Sequence, residues 1–402
     1  MNRVVVTGIG VVSPVGCALE EFWTAVVEGR SGIAPLSVAR SERLTTRIAA
    51  QVHQLDPAAH FEGKQQGLLD RFSQFAVVAA RAAVQDSSLP LSERIGLEAA
   101  TVIGSAAGGQ TTMDDSYFRL YSENAARLHP LTVPRLMTSA AASQVSMDLG
   151  LKGPAFCVAS ACASGAHAIG LAFQMLRSGQ TSVAVAGGAE ACLTTGTIKA
   201  WESLRVLSQD TCRPFSRTRS GLVLGEGAAV LLMEERTHAL ARGARVYAEI
   251  QGFGMSADAF DITTSDPDGA ARAMRAALAD ARRNSEEVDY VNAHGTGTTH
   301  NDRSETTALR EVFGSHAGHL AVSSSKAVLG HGLGAAGALE FAVTALALYH
   351  QTIPPTANFE EIDPDCDLDV VPNVARRALI NVAISNSFAF GGLNAVLLAA
   401  RA

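Results

Sequence analysis

The sequence predicts an α/β fold made of two similar halves, and three observations carry that reading. Short β-type runs alternate with alanine-rich amphipathic stretches along all 402 residues, the pattern of buried sheets covered by helices. The order of these pieces occurs twice, with the second unit beginning near residue 246, so units of 1–245 and 246–402 are expected. Apolar runs and glycine pairs fall at matching places in both units, which implies two similar sheets packed back to back.

The elements are justified in pairs. Val4 to Ser13, a strand with a glycine turn at Gly8 and Gly10, is matched by Tyr247 to Ser256 with Gly252 and Gly254. Apolar periodicity near 3.6 predicts helices over Phe72 to Gln85 and Ala270 to Arg282. A β-type run and Gly-rich loop follow in each half, Thr101 to Gly108 and Tyr290 to Gly295. A strand feeding a small-residue helix comes next, Phe156 to Leu176 and Ala321 to Leu348. Each half then closes on an apolar run ending in two glycines, Ser182 to Gly188 and Val382 to Gly392.

Bulk properties exclude several functions. With 47% hydrophobic and 18% charged residues, the chain has enough apolar material for a large core. A net charge of −7 and scattered arginines argue against nucleic-acid binding, which needs a concentrated basic patch. The N-terminus reads as a first strand rather than a signal peptide, and no apolar run reads as long enough to span a bilayer, so no membrane partner is expected. The six cysteines form no Cys-x-x-Cys pair and no Cys–His ligand spacing. No metal and no disulfide framework are therefore expected, and a reducing cytoplasm fits.

Chemistry concentrates at a few junctions. Cys162 sits where the run Ala155 to Ser160 gives way to a small-residue helix, the layout of a nucleophile elbow. A thiol in the first turn of a helix faces unpaired N–H groups that favour the thiolate. Two histidines, His294 and His331, lie in Gly-rich loops far downstream. In the paired-half arrangement their loops, the Cys162 turn and the stretch Phe388 to Gly392 converge on one pocket. A thiolate with two imidazoles suits acyl transfer from a thioester, and two neutral imidazoles suit hydrogen bonding to one thioester carbonyl as an enolate forms beside it. Gly332, Gly334 and Gly337 spell a literal G-x-G-x-x-G. His331 precedes it in place of a strand and no ribose-binding acid follows, so the glycines read as packing and turn residues and no nucleotide cofactor is expected.

With these residues in place, the chain resembles the elongating β-ketoacyl-acyl-carrier-protein synthases, type II condensing enzymes, from Val4 to Leu398. The carriers are Ser160 to Gly165, Arg213 to Phe215, Gly221 to Gly227, Tyr290 to Thr298, Asn301 and Asp302, Lys326, Gly330 and His331, Gly334 to Glu340, and Asn386 to Gly392. The resemblance implies a thiolase-type fold of duplicated αβαβα halves forming a five-layered sandwich. It implies an acyltransferase of fatty acid elongation in which Cys162 takes the acyl chain while His294 and His331 hold a malonyl thioester. Lys326 and Glu340 match the supporting pair, and the N–H groups of Cys162 and Phe390 match the oxyanion hole. Thr296 and Thr298 would meet the pantetheine arm, and Phe388 would border the substrate. Ala107 stands where a bulky aliphatic residue often limits the acyl tunnel near the dimer interface. The implied partners are an acyl carrier protein and a second copy of the chain. The alternative is a specialised synthase for polyene or modified acyl chains, paired with a catalytically dead chain-length factor.

Ala389 replaces a glycine usual in this family's gating loop, where a positive φ would be costly. Leu393 and Ser220 depart from the usual threonine and aspartate. The segment Lys64 to Asp70 lacks the basic residues that greet a carrier protein, whereas Arg127 and Arg205 are retained.

Overall fold

The computed structural model describes all 402 residues. The first half contributes strands β1 (Val4–Val12), β2 (Ala100–Gly104), β3 (Ala155–Val158), β4 (Val183–Glu190) and β5 (Gly227–Glu235). The second contributes β6 (Ala248–Ala257), β7 (Tyr290–Asn292), β8 (Ala321–Ser323), β9 (Val382–Ala389) and β10 (Leu393–Ala400). Across the sheet the first half runs β1-β5-β4-β2-β3 and the second β6-β10-β9-β7-β8. Each strand of the second order is the first-half strand plus five. Senses match as well: β1·β5 and β5·β4 are antiparallel like β6·β10 and β10·β9. Likewise β4·β2 and β2·β3 are parallel like β9·β7 and β7·β8.

Seven helices complete the layers: α1 (Arg71–Ser87), α2 (Ala140–Leu149), α3 (Ser164–Arg177), α4 (Thr195–Ser203), α5 (Pro267–Ala281), α6 (Thr299–Phe313) and α7 (Ala336–His350). α1 and α2 cover the outer face of the first half, α5 with α6 beside it covers the second, and α3 and α7 lie between, touching strands of both. This gives the five layers, helix on sheet on helix on sheet on helix. The sequence pattern explains which helix goes where. α1 and α5 are amphipathic and capped by Asp70 and Asp266, as surface helices are. α7 is buried at every position from Ala336 to Leu348, as a middle layer must be. The apolar run Leu333–His350 is in fact 18 residues long, enough to cross a membrane by length and composition, yet 89% of it is buried inside the fold. It is a core helix.

Three expectations change. The two sheets are joined, because β1 and β6, the inner edge of each half, pair antiparallel over Val4–Val6 and Ala248–Ile250, giving their edge N–H and C=O groups partners. The first glycine pairs are not turns. Gly8 and Gly10 lie within β1, where a Cβ would collide with carbonyl oxygens of Ala83 and Ala79 in α1. Gly252 and Gly254 stand the same way against Ala277 and Ala273 in α5. The glycines thus let each outer helix sit directly on its strand. Finally, neither half closes on its double glycine: Gly187 and Gly188 sit inside β4, and a further antiparallel strand, β5 or β10, ends each half.

Candidate active site

The nucleophile elbow begins at the end of β3. Ala161 adopts a left-handed backbone, φ 48°, a conformation that costs a non-glycine residue about 1–2 kcal/mol. The Ser164 hydroxyl holds it there, accepting from Ser160 N–H at 2.9 Å and donating to Ala161 O at 2.7 Å. Cys162 comes two residues before α3, not within its first turn. Its side chain is buried, and burial pushes the thiol up to about 12, with the Lys326 charge and the Phe390 N–H offsetting only part of that. The expected lowering of the thiol by a helix N-terminus is not met: Cys162 stands ahead of α3, and burial dominates.

The first imidazole follows β7. The N–H groups of His294 and Gly295 donate to the Glu305 carboxylate of α6 at 2.9 and 2.8 Å. From the other side, Lys326 Nζ donates to His294 O at 2.6 Å and meets His294 Nδ1 at 3.2 Å. An ammonium is only a donor, so Nδ1 accepts and the ring proton sits on Nε2. Lys326 is in turn ion-paired with the buried Glu340 of α7, whose carboxyl burial pushes up to about 7 against the pull of Lys326. The second imidazole, His331, receives the Leu333 N–H on Nδ1 at 3.3 Å, which again leaves the proton on Nε2. The rings lie 5.4 Å apart at 83°. Burial and the Lys326 charge hold both well below the usual histidine range, so both are neutral donors near pH 7.

The third strand end is the turn after β9. Phe388 sets its ring edge-on to His294, centroids 6.1 Å apart, while Phe390 stacks on Trp201 of α4 at 5.7 Å and 22°. Ala389 escapes the expected strain, since the positive φ values fall at Gly391 and Gly392 instead. This turn is tied to the loop 258–265 by Gly391 N–H to Ile262 O at 2.8 Å and Asn394 Nδ2 to Asp258 at 2.6 Å. The N–H of Phe390 faces the Cys162 thiol, and neither it nor the Cys162 N–H has an oxygen partner within the chain.

These parts enclose one pocket of 240 Å³. It is lined by Cys162, His294, His331, Thr296, Thr298, Phe388 and Phe390 together with Trp201, Leu204 and Thr263. Thr296 and Thr298 share a hydroxyl hydrogen bond of 2.8 Å. Lys326 and Glu340 stand behind His294, out of the pocket. Ala107 is not brought in. It lines a second, open groove of 790 Å³ with Tyr117, Phe118 and Lys199, and Trp201 is the residue common to both cavities. The sequence reading missed Trp201, Glu305 and Glu190; a single carboxylate in the small-residue run Gly187 to Ala191 was the available signal for Glu190, and Glu305, close to Asp302 and Arg303, offered none.

No three His, Cys, Asp or Glu side chains are grouped to hold a metal, and all six cysteines are free. Two glycines of the motif are explained by packing: a Cβ on Gly334 would collide with Ala106 N and Glu190, and one on Gly337 with Ala166 and Ser387.

Comparison with known proteins agrees with this geometry. Residues 1–239 match the beta-ketoacyl synthase N-terminal domain and residues 247–360 its C-terminal domain. Nodulation protein E of Rhizobium sp. (strain N33) is 48% identical over 396 residues, 98% of each chain. The 3-oxoacyl-[acyl-carrier-protein] synthase 2 of Coxiella burnetii is 42% identical over 408 residues, covering 100% of this chain and 99% of that one. Among solved structures, the ishigamide ketosynthase/chain length factor superposes with a TM-score of 0.96 at 35% identity, over 100% of this chain and 99% of that one. A buried cysteine and two neutral imidazoles on a duplicated sheet, matched along the whole chain, place it in the beta-ketoacyl synthase family, as a condensing acyltransferase of fatty acid elongation.

Proposed function

We propose that Cys162 carries the acyl chain and that His294 and His331 act together on a malonyl thioester. The carrying observation is that both imidazoles hold their proton on Nε2 and line the pocket of the thiol. In the first half-reaction the Cys162 sulfur displaces a pantetheine sulfur from an acyl thioester; the proton the thiol gives up is matched by the one the departing sulfur takes. In the second, malonyl loses CO₂, and the enolate oxygen accepts hydrogen bonds from the two Nε2–H groups. The enolate carbon attacks the Cys162 acyl carbon, the oxyanion formed there lies toward the Cys162 and Phe390 N–H groups, and the cysteine sulfur leaves. Thr296 and Thr298 hold the pantetheine arm, and no cofactor takes part. Incubating the purified enzyme with acyl- and malonyl-carrier protein and weighing the Cys162 peptide tests this: an acyl adduct on Cys162 is expected, and an adduct on another residue would overturn it.

A second reading concerns the chain itself. The 790 Å³ groove beyond Trp201, bordered by a small residue at Ala107, favours a long or conjugated acyl group over a short one, since the 240 Å³ thiol pocket is below the usual size of a ligand site. The acyl carrier protein is the partner for delivery, and exposed Arg205, between the pocket residues Leu204 and Val206, supplies a cation at the mouth. The outer side of β3 is unpaired and Phe156 on it is exposed, which suits pairing with an equivalent strand of a second copy, or of a chain-length factor. Light scattering of the purified chain, with mass spectrometry of anything co-purifying, separates the two: a homologue lacking the cysteine indicates the heterodimer.

A further inference from the structure

Glu190 ends β4 and is fully buried, with no lysine or arginine paired to it. Every group that reaches it is a donor. Oε1 accepts from Ser105 Oγ at 3.0 Å and Ala107 N–H at 3.4 Å; Oε2 accepts from Ala106 N–H at 2.6 Å and Gly334 N–H at 3.0 Å. One carboxylate therefore binds two separate segments, the loop after β2 that carries Ala107 and the turn after His331. That turn is strained, for Leu333 has φ 48°, and it is the Leu333 N–H that fixes the His331 tautomer. Nothing else of comparable charge anchors the turn.

We propose that Glu190 is a positioning residue for His331: by gripping Gly334 it holds Leu333 in its left-handed conformation, and so keeps the His331 proton on Nε2, aimed for the malonyl carbonyl. The same grip makes the loop bordering the outer groove and the turn presenting His331 one rigid unit. In metal sites, removing the partner that orients a ligating histidine changes affinity or activity about 10- to 100-fold, and an effect of that order is expected here. The hydrogen bonds of Glu190 lead to His331, whereas the sulfur feels Glu190 only as the smallest of the charges that raise its thiol, so the malonyl step is the half-reaction that depends on the grip. This inference rests on the assignment of His331 to the malonyl step.

The test is Glu190→Gln, whose amide NH₂ would face N–H donors and release one of the two segments. Malonyl decarboxylation is expected to fall about 10- to 100-fold, with acyl transfer to Cys162 nearly unchanged. ¹⁵N-histidine NMR, assigned by the loss of a signal in His331→Ala, is expected to show His331 passing from one tautomer to a mixture. Glu190→Asp keeps the charge but cannot span both segments, and is expected to show the same selective loss in milder form. Equal losses in both half-reactions, or a His331 tautomer unchanged in Glu190→Gln, would overturn the proposal. So would failure of both variants to fold, which would make Glu190 a folding residue. Absence of malonyl decarboxylation in the wild type would instead sink the reading of the histidines.

Discussion

At the scale of the residue, the site works through neutrality. Burial keeps Cys162 a thiol and both imidazoles uncharged, so the charges that appear are those of the reaction. Cys162→Ala is expected to abolish condensation, because no other cysteine lines the pocket, while decarboxylation by the histidines persists; radiolabelled CO₂ release beside product formation measures both. His294→Ala and His331→Ala should each lower decarboxylation about 10²- to 10³-fold, the usual loss of an oxyanion donor, with the double variant well short of the product because both act on one oxygen. A pH profile gives a third check. Lowered imidazole pKa values mean the neutral form persists below pH 6.5, so ¹⁵N-histidine NMR should show both rings neutral from pH 8 down past 6.5, whatever Glu340, raised to about 7, does to the rate; a ring midpoint at or above 6.5 would contradict this. That these three residues would meet at one pocket was legible from their glycine and small-residue settings. The protonation of the cysteine was not, because burial is a property of the folded chain and the sequence shows only the elbow.

At the scale of the element, short segments between strands do the positioning. α4 matters most here, since it places Trp201 between the thiol pocket and the outer groove and against Phe390. On the proposed acyl path, a chain longer than the inner pocket holds would have to pass Trp201. Trp201→Ala is then expected to lengthen the products, and Ala107→Ile, which narrows the groove, to shorten them; each buried CH₂ is worth about 0.8 kcal/mol, so an isoleucine side chain displacing part of the chain costs about 2 kcal/mol of acyl binding. Product-length distributions with acyl-carrier substrates of increasing length decide it, and unchanged distributions in both stable variants would remove the groove from the acyl path. The helices over Phe72 to Gln85 and Ala270 to Arg282 were readable from periodicity and differ from α1 and α5 by one to three residues at their ends. Glycines misled where local rules were applied to them. A pair inside a strand looks like a turn until the helix that lies against it is known.

At the scale of the whole molecule, the duplicated order of strands was visible as repeated pieces of sequence, whereas the β1·β6 seam was not, because edge pairing is decided by how the halves meet. The same burial that joins the halves predicts how the protein responds to alkali. Cys162 and Cys212 are pushed up to about 12 and Cys366 to about 11, burial being the main cause in each, from an ordinary value of 9.0. The buried phenols Tyr247 and Tyr290 are raised as well. Above pH 9 the unfolded chain releases these protons while the folded chain retains them, so unfolding releases protons and stability falls as pH rises from 9 toward 12. Each such cysteine adds a slope of about 1.4 kcal/mol per pH unit within that window. Urea denaturation at pH 8, 9, 10 and 10.5 should therefore show a midpoint that is steady at first and then drops. Cys162→Ala should drop less steeply, by the share of one proton. A wild-type midpoint level to pH 10.5, or a variant as steep as the wild type, would mean that these thiols ionise in the folded protein as freely as in the unfolded one.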